Sequence, residues 1–213
     1  AEARASFAEV LRLRPELASA YNNIGETWHT EGNLPLALQS YARALELKPD
    51  YAEATNNQGV VLGKSGRTEE AMQSFRRALR LDPGYAMAHH NLANALARRG
   101  DYAEAETHYR EALRLRSDFA LARFNYGVCL QTQHRGREAA PLLAQAFRDL
   151  PDFFLGHQLL GTLLLRQGDL AGAIRHFRQA LTIRPSFVPA RQGLALALER
   201  QGDPLNRTRG PGE

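Results

Sequence analysis

Small, apolar and polar positions recur along this chain with a single period. Steps of 34 residues align Ala3, Ala37, Ala71, Ala105, Ala139 and Ala173, and four positions later Phe7, Tyr41, Phe75, Tyr109, Leu143 and Phe177. A second phase aligns Gly25, Gly59, Ala93, Gly127, Gly161 and Ala195, and a third aligns Pro15, Pro49, Pro83, Pro151 and Pro185, missing only at Ser117. Between these marks apolar residues fall at helical spacing, as in Ile24 and Trp28, Leu92 and Leu96, Leu160 and Leu164. Each period therefore predicts two helices. The first covers Ala18 to Glu31, Ala52 to Ser65 and Ala86 to Arg99; the second carries Ala37, Tyr41, Ala44 and Leu45 and their counterparts. Gly32, Gly66, Gly100 and Gly168 stand where the first helix must turn, and the proline that follows the second helix stops it. Small residues at two fixed phases let the two helix backbones approach closely, with a ring wedged between them.

A helix-turn-helix unit with this period and this pattern of small and aromatic residues resembles the tetratricopeptide repeat, from end to end of the chain. The resemblance implies an all-α fold, an α-solenoid wound as a right-handed superhelix, with five full units flanked by two half units. The units span 18–51, 52–85, 86–119, 120–153 and 154–187. Residues 1–17 hold the second helix of a truncated unit, 188–202 a capping helix with Leu194, Ala195 and Leu198 in core phase, and 203–213 a disordered tail rich in proline, glycine and arginine. The leading helix puts Ala3, Phe7 and Val10 in core phase with no partner helix before it. It reads as the cut edge of a longer protein or as a face covered by a second copy of the chain.

The fourth unit departs from the pattern. His134 stands in place of the turn glycine, Gly136 follows two positions late, Pro141 falls inside the second helix, and Leu143 replaces the aromatic. Pro141 is expected within about the first turn, where its missing N–H costs least, so the unit should be distorted without breaking the stack.

Composition narrows the function. The 213 residues carry a net charge of +4, but the 27 basic residues are scattered among 23 acidic ones. Without a clustered basic stripe a nucleic-acid partner is not expected, and the mild excess favours acidic protein ligands. Arginine supplies 25 of the cations and lysine two, a bias of the kind GC-rich coding produces. No apolar run reaches the ~20 residues of a membrane span. The sequence leaves the compartment open, with the cytoplasm first among the alternatives. Cys129 is the single cysteine, which excludes a disulfide framework and a zinc site built on paired cysteines. No phosphate-binding glycine loop, H-E-x-x-H motif or nucleophile elbow occurs, so neither catalysis nor a cofactor nor a metal is expected. His89 and His157 share a phase two units apart, too far to bind one metal. His89 and His90 are adjacent and point to different faces; the other histidines stand isolated and are expected at the surface or groove edge, and Cys129 in the core.

One row rises above packing. Asn23, Asn57, Asn91 and Asn125 stand at position 6 of successive first helices, and the row ends at Leu159. In the family that the chain resembles, positions 2, 5, 6, 9, 12 and 13 of the first helix line a concave groove. On that basis Asn22 and Asn56 at position 5 and Asn94 at position 9 extend the amide row. Asparagine is a mediocre helix former, so its recurrence mid-helix needs a reason. Either the amides bond between neighbouring helices, or each, with a donor and an acceptor, holds the backbone of a bound extended peptide. The row is similar to the asparagine ladder in the repeat arm of O-linked N-acetylglucosamine transferases, in its positions alone. The lysine and arginine clamp with which chaperone-binding relatives grip a terminal carboxylate has no counterpart at positions 2 and 5. Further along, Leu121, Phe124, Val128, Leu155, Leu159 and Leu165 predict an apolar half of the groove, and Lys64, Arg98, Arg166 and Arg200 a basic rim.

These expectations add up to a non-catalytic interaction scaffold for an extended protein or peptide segment. Asn22, Asn23, Asn56, Asn57, Asn91, Asn94 and Asn125 would hold its backbone, Leu121, Phe124 and Val128 an apolar anchor, and Lys64 and Arg98 an acidic residue. The alternatives are a substrate-recruiting arm of a larger enzyme such as a glycosyltransferase, and a self-associating module joined through the leading helix.

Overall fold

A computed structural model describes residues 13–202, which are helical throughout, with turns between the helices and no strand among them. The helices are α1 (Ala18–Thr30), α2 (Leu34–Leu47), α3 (Ala52–Lys64), α4 (Thr68–Leu81), α5 (Ala86–Arg99), α6 (Tyr102–Leu115), α7 (Ala120–Thr132), α8 (Gly136–Asp149), α9 (Phe154–Gln167), α10 (Leu170–Ile183) and α11 (Val188–Gly202). The expected leading helix with Phe7 and Val10, the self-association through it and the tail 203–213 lie outside the described residues. No described helix is long and apolar enough to cross a membrane.

Helices pair as the repeat requires, and the chain gathers into two compact units, Ala1–Ala122 and Arg123–Glu213. In the first, α1 packs on α2, α3 on α4 and α5 on α6, while the first helices α1, α3 and α5 also touch one another. In the second, α9 packs on α10 and α11 packs on both. The rings are wedged where the sequence places them. A side chain added at Gly59 would begin 2.7 Å from the Phe75 ring and 3.1 Å from the Ala71 carbonyl, so only a residue without Cβ admits the ring there. The buried set is accordingly rich in alanine: Ala37, Ala71, Ala105, Ala139 and Ala173 are all buried, beneath Tyr41, Phe75, Tyr109, Leu143 and Phe177.

The turn glycines take the left-handed backbone that an L side chain resists, with φ of 97° at Gly100 and 85° at Gly168. In the fourth repeat His134 takes that conformation itself, at φ 60°, and α8 begins only at Gly136. Pro141 is a correction. It lies beyond the first turn, as the sixth residue of α8, so the helix forgoes the bond that an N–H here would give to the Arg137 carbonyl. The helix nevertheless continues to Asp149, and Pro141 itself is exposed. The last helix holds a second correction. Ala195 and Leu198 of α11 are exposed, and Ala190 and Ala197 are buried instead. Gly193, like Gly161, lies against the Phe177 ring. Position 8 of a first helix normally meets its own second helix, and among the described residues none follows α11.

Candidate functional site

Five asparagines of the first unit form one directional chain of hydrogen bonds across α1, α3 and α5. Asn91 Nδ2 donates to Asn56 Oδ1 (2.9 Å), Asn56 Nδ2 to Asn57 Oδ1 (3.3 Å), Asn57 Nδ2 to Asn22 Oδ1 (3.2 Å) and Asn22 Nδ2 to Asn23 Oδ1 (3.4 Å). Asn57 also donates to Glu26 Oε1 at 3.0 Å. Of the two readings the sequence left open, bonding between neighbouring helices is what these side chains do. The chain ends on the Asn23 amide nitrogen at one side and the Asn91 carbonyl oxygen at the other.

The two positions behave differently. Asn22 and Asn56 at position 5 are 0% and 2% exposed, whereas Asn23, Asn57 and Asn91 at position 6 are half-buried. Position 5 is a seam position through the first four repeats, since His90 and Phe124 there are buried as well, whereas Gln158 in the fifth is half-buried. The expectation that Asn22 and Asn56 touch a ligand is therefore corrected: they satisfy each other and the position-6 amides in the interior, where an unpaired amide would be costly. Asn94 is also spoken for. Its Oδ1 accepts from Tyr109 Oη (2.7 Å) and its Nδ2 meets His90 Nε2 (3.1 Å). Asn125 is half-buried. The face that remains open carries Asn23, Asn57 and Asn91 with Glu26 beside them. Burial and the neighbouring Glu53 carboxylate push the Glu26 carboxyl up, against the bond from Asn57. Lys64 and Arg98 are exposed, and burial, with Lys64 adding to it, pushes the His29 imidazole down.

The second unit offers a different surface. Val128 and Thr132 of α7, His134 of the turn, and Leu159, Thr162, Leu163, Arg166 and Gln167 of α9 line an open cleft of about 450 Å³. Gln131 Nε2 donates to Gln167 Oε1 at 2.9 Å, fastening the two helices at one end. Leu155 and Leu159 are 51% and 47% exposed, an apolar i, i+4 pair on the open face of α9. Two expected members do not belong. Phe124 is 1% exposed and sits edge-on to Phe147 and Phe153, with ring centroids 5.6 and 5.0 Å away, and Leu165 is buried too. Helical rotation turns position 5 and position 12 inward here, so Phe124 is core and not an anchor pocket. Leu121 is exposed on the last turn of the first unit.

His108 and His176, expected as isolated groups, are paired instead with His89 and His157, which are buried, as is His90. The signal was present in the sequence: His108 and His176 also share a phase, 19 residues after their partners. Cys129 is buried, as its place beside core positions predicts.

Models of the tetratricopeptide repeat match residues 1–52, 32–86, 130–187 and 159–205, and another matches 86–119. The chain belongs to the tetratricopeptide-repeat family. Only residues 120–129, most of α7 in the irregular repeat, and those beyond 205 fall outside the matches. No sequence among the curated proteins matches it. Solved structures share its architecture. YrrB, a TPR protein with an unusual peptide-binding site, is similar at 24% identity over 87% of this chain and 96% of its own, with a TM-score of 0.62. PilW, a widely conserved type IV pilus biogenesis factor, is similar at 22% identity over 89% and 88%, with a TM-score of 0.77. MamA is similar at 22% identity over 80% and 93%, with a TM-score of 0.62. At these identities the likeness is one of fold. As a tetratricopeptide-repeat solenoid the chain is a protein-interaction scaffold.

Proposed function

We propose that this tetratricopeptide-repeat protein binds an extended peptide segment carrying an apolar side chain, which seats in the cleft between α7 and α9. The observation that carries this reading is the exposed pair Leu155 and Leu159 beside a cleft floored by Val128, Leu159 and Leu163. Large apolar side chains left open to water next to a concavity mark a contact surface. Arg166 at the cleft's edge favours an acidic residue next to the apolar one. In the first unit, Asn23, Asn57 and Asn91 are half-exposed amides, of which Asn23 and Asn91 keep N–H groups for a peptide backbone and Asn57, with both N–H groups engaged, can still accept, with Lys64 and Arg98 exposed nearby. Backbone contacts of that kind give breadth, and the cleft gives selectivity. The same fold supports a peptide-binding site in YrrB.

The reading is tested by screening an array of immobilised peptides with the chain and with L159D. Peptides that bind should combine a large apolar residue with a nearby Asp or Glu, and L159D should weaken them tenfold or more while leaving the helical circular dichroism intact. Binding that ignores L159D would remove the cleft from the account.

A further inference from the structure

Four of the chain's seven histidines form two copies of one arrangement. His89 of α5 faces His108 of α6 with 2.8 Å between their Nδ1 atoms, and His157 of α9 faces His176 of α10 with 3.0 Å. The same two phases hold Thr55 and Ser74 in the second repeat and Arg123 and Leu142 in the fourth, so histidine occupies both phases or neither. Each pair joins the first helix of its repeat to the second.

The rings meet head-on. Their centroids are 5.1 and 5.3 Å apart, in each case the Nδ1 gap extended by the centre-to-nitrogen reach of two five-membered rings. Lone pairs aimed at one another define an N–H···N hydrogen bond. They do not converge on a third point, as metal ligands must, and the described residues hold no group of three or more side chains able to bind a metal ion.

A head-on pair counts protons. His89 Nε2 lies 3.1 Å from the Pro83 carbonyl oxygen, which can only accept, so Nε2 carries the hydrogen and His89 Nδ1 is bare. His108 must then donate through Nδ1, leaving its own Nε2 to take up a first proton facing Glu104, 4.0 Å away. A second proton has to go to His89 Nδ1. That sets two N–H groups against each other across a gap made for one hydrogen. In the fifth repeat Phe147 lies flat on His157, 3.8 Å between centroids and 4° between planes, so that ring cannot swing aside without leaving the stack.

We propose that the two pairs are acid-operated latches, each holding its first helix to its second only while it has gained at most one proton beyond the neutral pair, so that acidification releases α5 from α6 and α9 from α10. The charges around them support this. Burial, His89 and Arg76 push His108 down, against Glu104 and Glu111. Burial and Arg175 push His176 down, against Asp169, and burial and His176 push His157 down to about 4. A histidine ordinarily near 6.5 and held lower when folded leaves the opened state binding more protons. Both latches are therefore secure above about pH 6.5 and weaken below it, the fifth-repeat latch as pH falls toward the His157 value of about 4, opening up to about tenfold more per pH unit for each proton taken up. Release of α9 would also reshape the cleft that it lines, but the latch does not depend on what binds there.

Amide hydrogen exchange on the full chain, at about pH 7 and pH 5 and corrected for intrinsic rates, reads the latches directly. Protection should fall tenfold or more in α5, α6, α9 and α10 and stay nearly constant in α3 and α4. The variant H108Q/H176Q should lose much less, because a glutamine amide can turn to donate to a bare Nδ1 or accept from a protonated one. Equal acid loss in every helix, or the same loss in the variant, overturns the proposal. Should the variant fold poorly, imidazole titration by NMR on the unaltered chain decides. Both rings of a pair charging while α5 and α6 stay protected would overturn it, and loss of protection at the second proton supports it.

Discussion

The hydroxyl of Tyr109 donates to Asn94 Oδ1 at 2.7 Å, whereas Tyr41, the same ring two periods earlier, is fully buried with no partner for its hydroxyl among the described residues. The counterpart of Asn94 beside Tyr41 is Glu26, whose carboxylate is engaged by Asn57. Replacing the two tyrosines should therefore have different effects. Tyr109→Phe removes a made bond and should cost about 1 kcal/mol, while Tyr41→Phe relieves a buried, unpaired oxygen and should be neutral or stabilising. Urea denaturation of the two variants separates them.

The amide chain makes a second contrast. Asn56→Ala withdraws both an acceptor from Asn91 and a donor to Asn57 in the interior, and should destabilise by roughly 1–3 kcal/mol. Asn23→Ala touches only the end of the chain and should stay within about 0.5 kcal/mol. Thermal melts of the single variants check this, and a reversed order would mean that the amides do not support one another.

Pro141 offers a gain. Pro141→Ala restores an N–H inside α8 at an exposed position, with the Arg137 carbonyl available to accept. The variant should be more stable, by up to about 3 kcal/mol on intrinsic helix propensity and less if the helix has adapted around the ring. A rise in the melting temperature is the expected result.

At high pH the tyrosines take over. Burial, Glu53 and Glu26 in that order, with smaller contributions from Asp82 and Tyr51, push the Tyr85 phenol up to about 12, and Tyr41 is raised chiefly by burial. The phenol is neutral while protonated, so a raised folded value means that the folded state holds protons the unfolded chain gives up. Stability is intact below about pH 10 and is lost as pH rises through 12. Ultraviolet absorbance of phenolate should lag behind that of free tyrosine and then rise together with the loss of helical circular dichroism.

The repeat was legible because its signals are steric. A ring wedged on a small residue tolerates little substitution, so Gly59 with Phe75 and Gly161 with Phe177 recur at fixed spacing and announce the helix pairs. The binding face was less legible, because phase alone cannot tell a seam from an open groove. Position 5 and position 6 are neighbours in sequence, yet Asn56 is interior and Asn57 half-open, and Phe124 went to the core for the same reason. The histidine pairs were missed because each unites two phases 19 residues apart, and only the packing of α5 on α6 shows that those phases touch. His134 in left-handed backbone and the exposed end of α11 depart from the periodic rule where a glycine or a following helix is missing.

The buried asparagines of α1 and α3 imply that the repeats are not interchangeable beads. Asn22 and Asn56 each rely on an amide from the next first helix, whereas the same rank further on is filled by the aromatic Phe124. Moving the fifth repeat to follow the first would set Leu159 against Asn22 and strand a polar group in the interior. Side-chain chemistry at the seam thus acts as an address, telling each repeat which neighbour it can accept, and a shuffled or duplicated array would have to rewrite that address before it could stack.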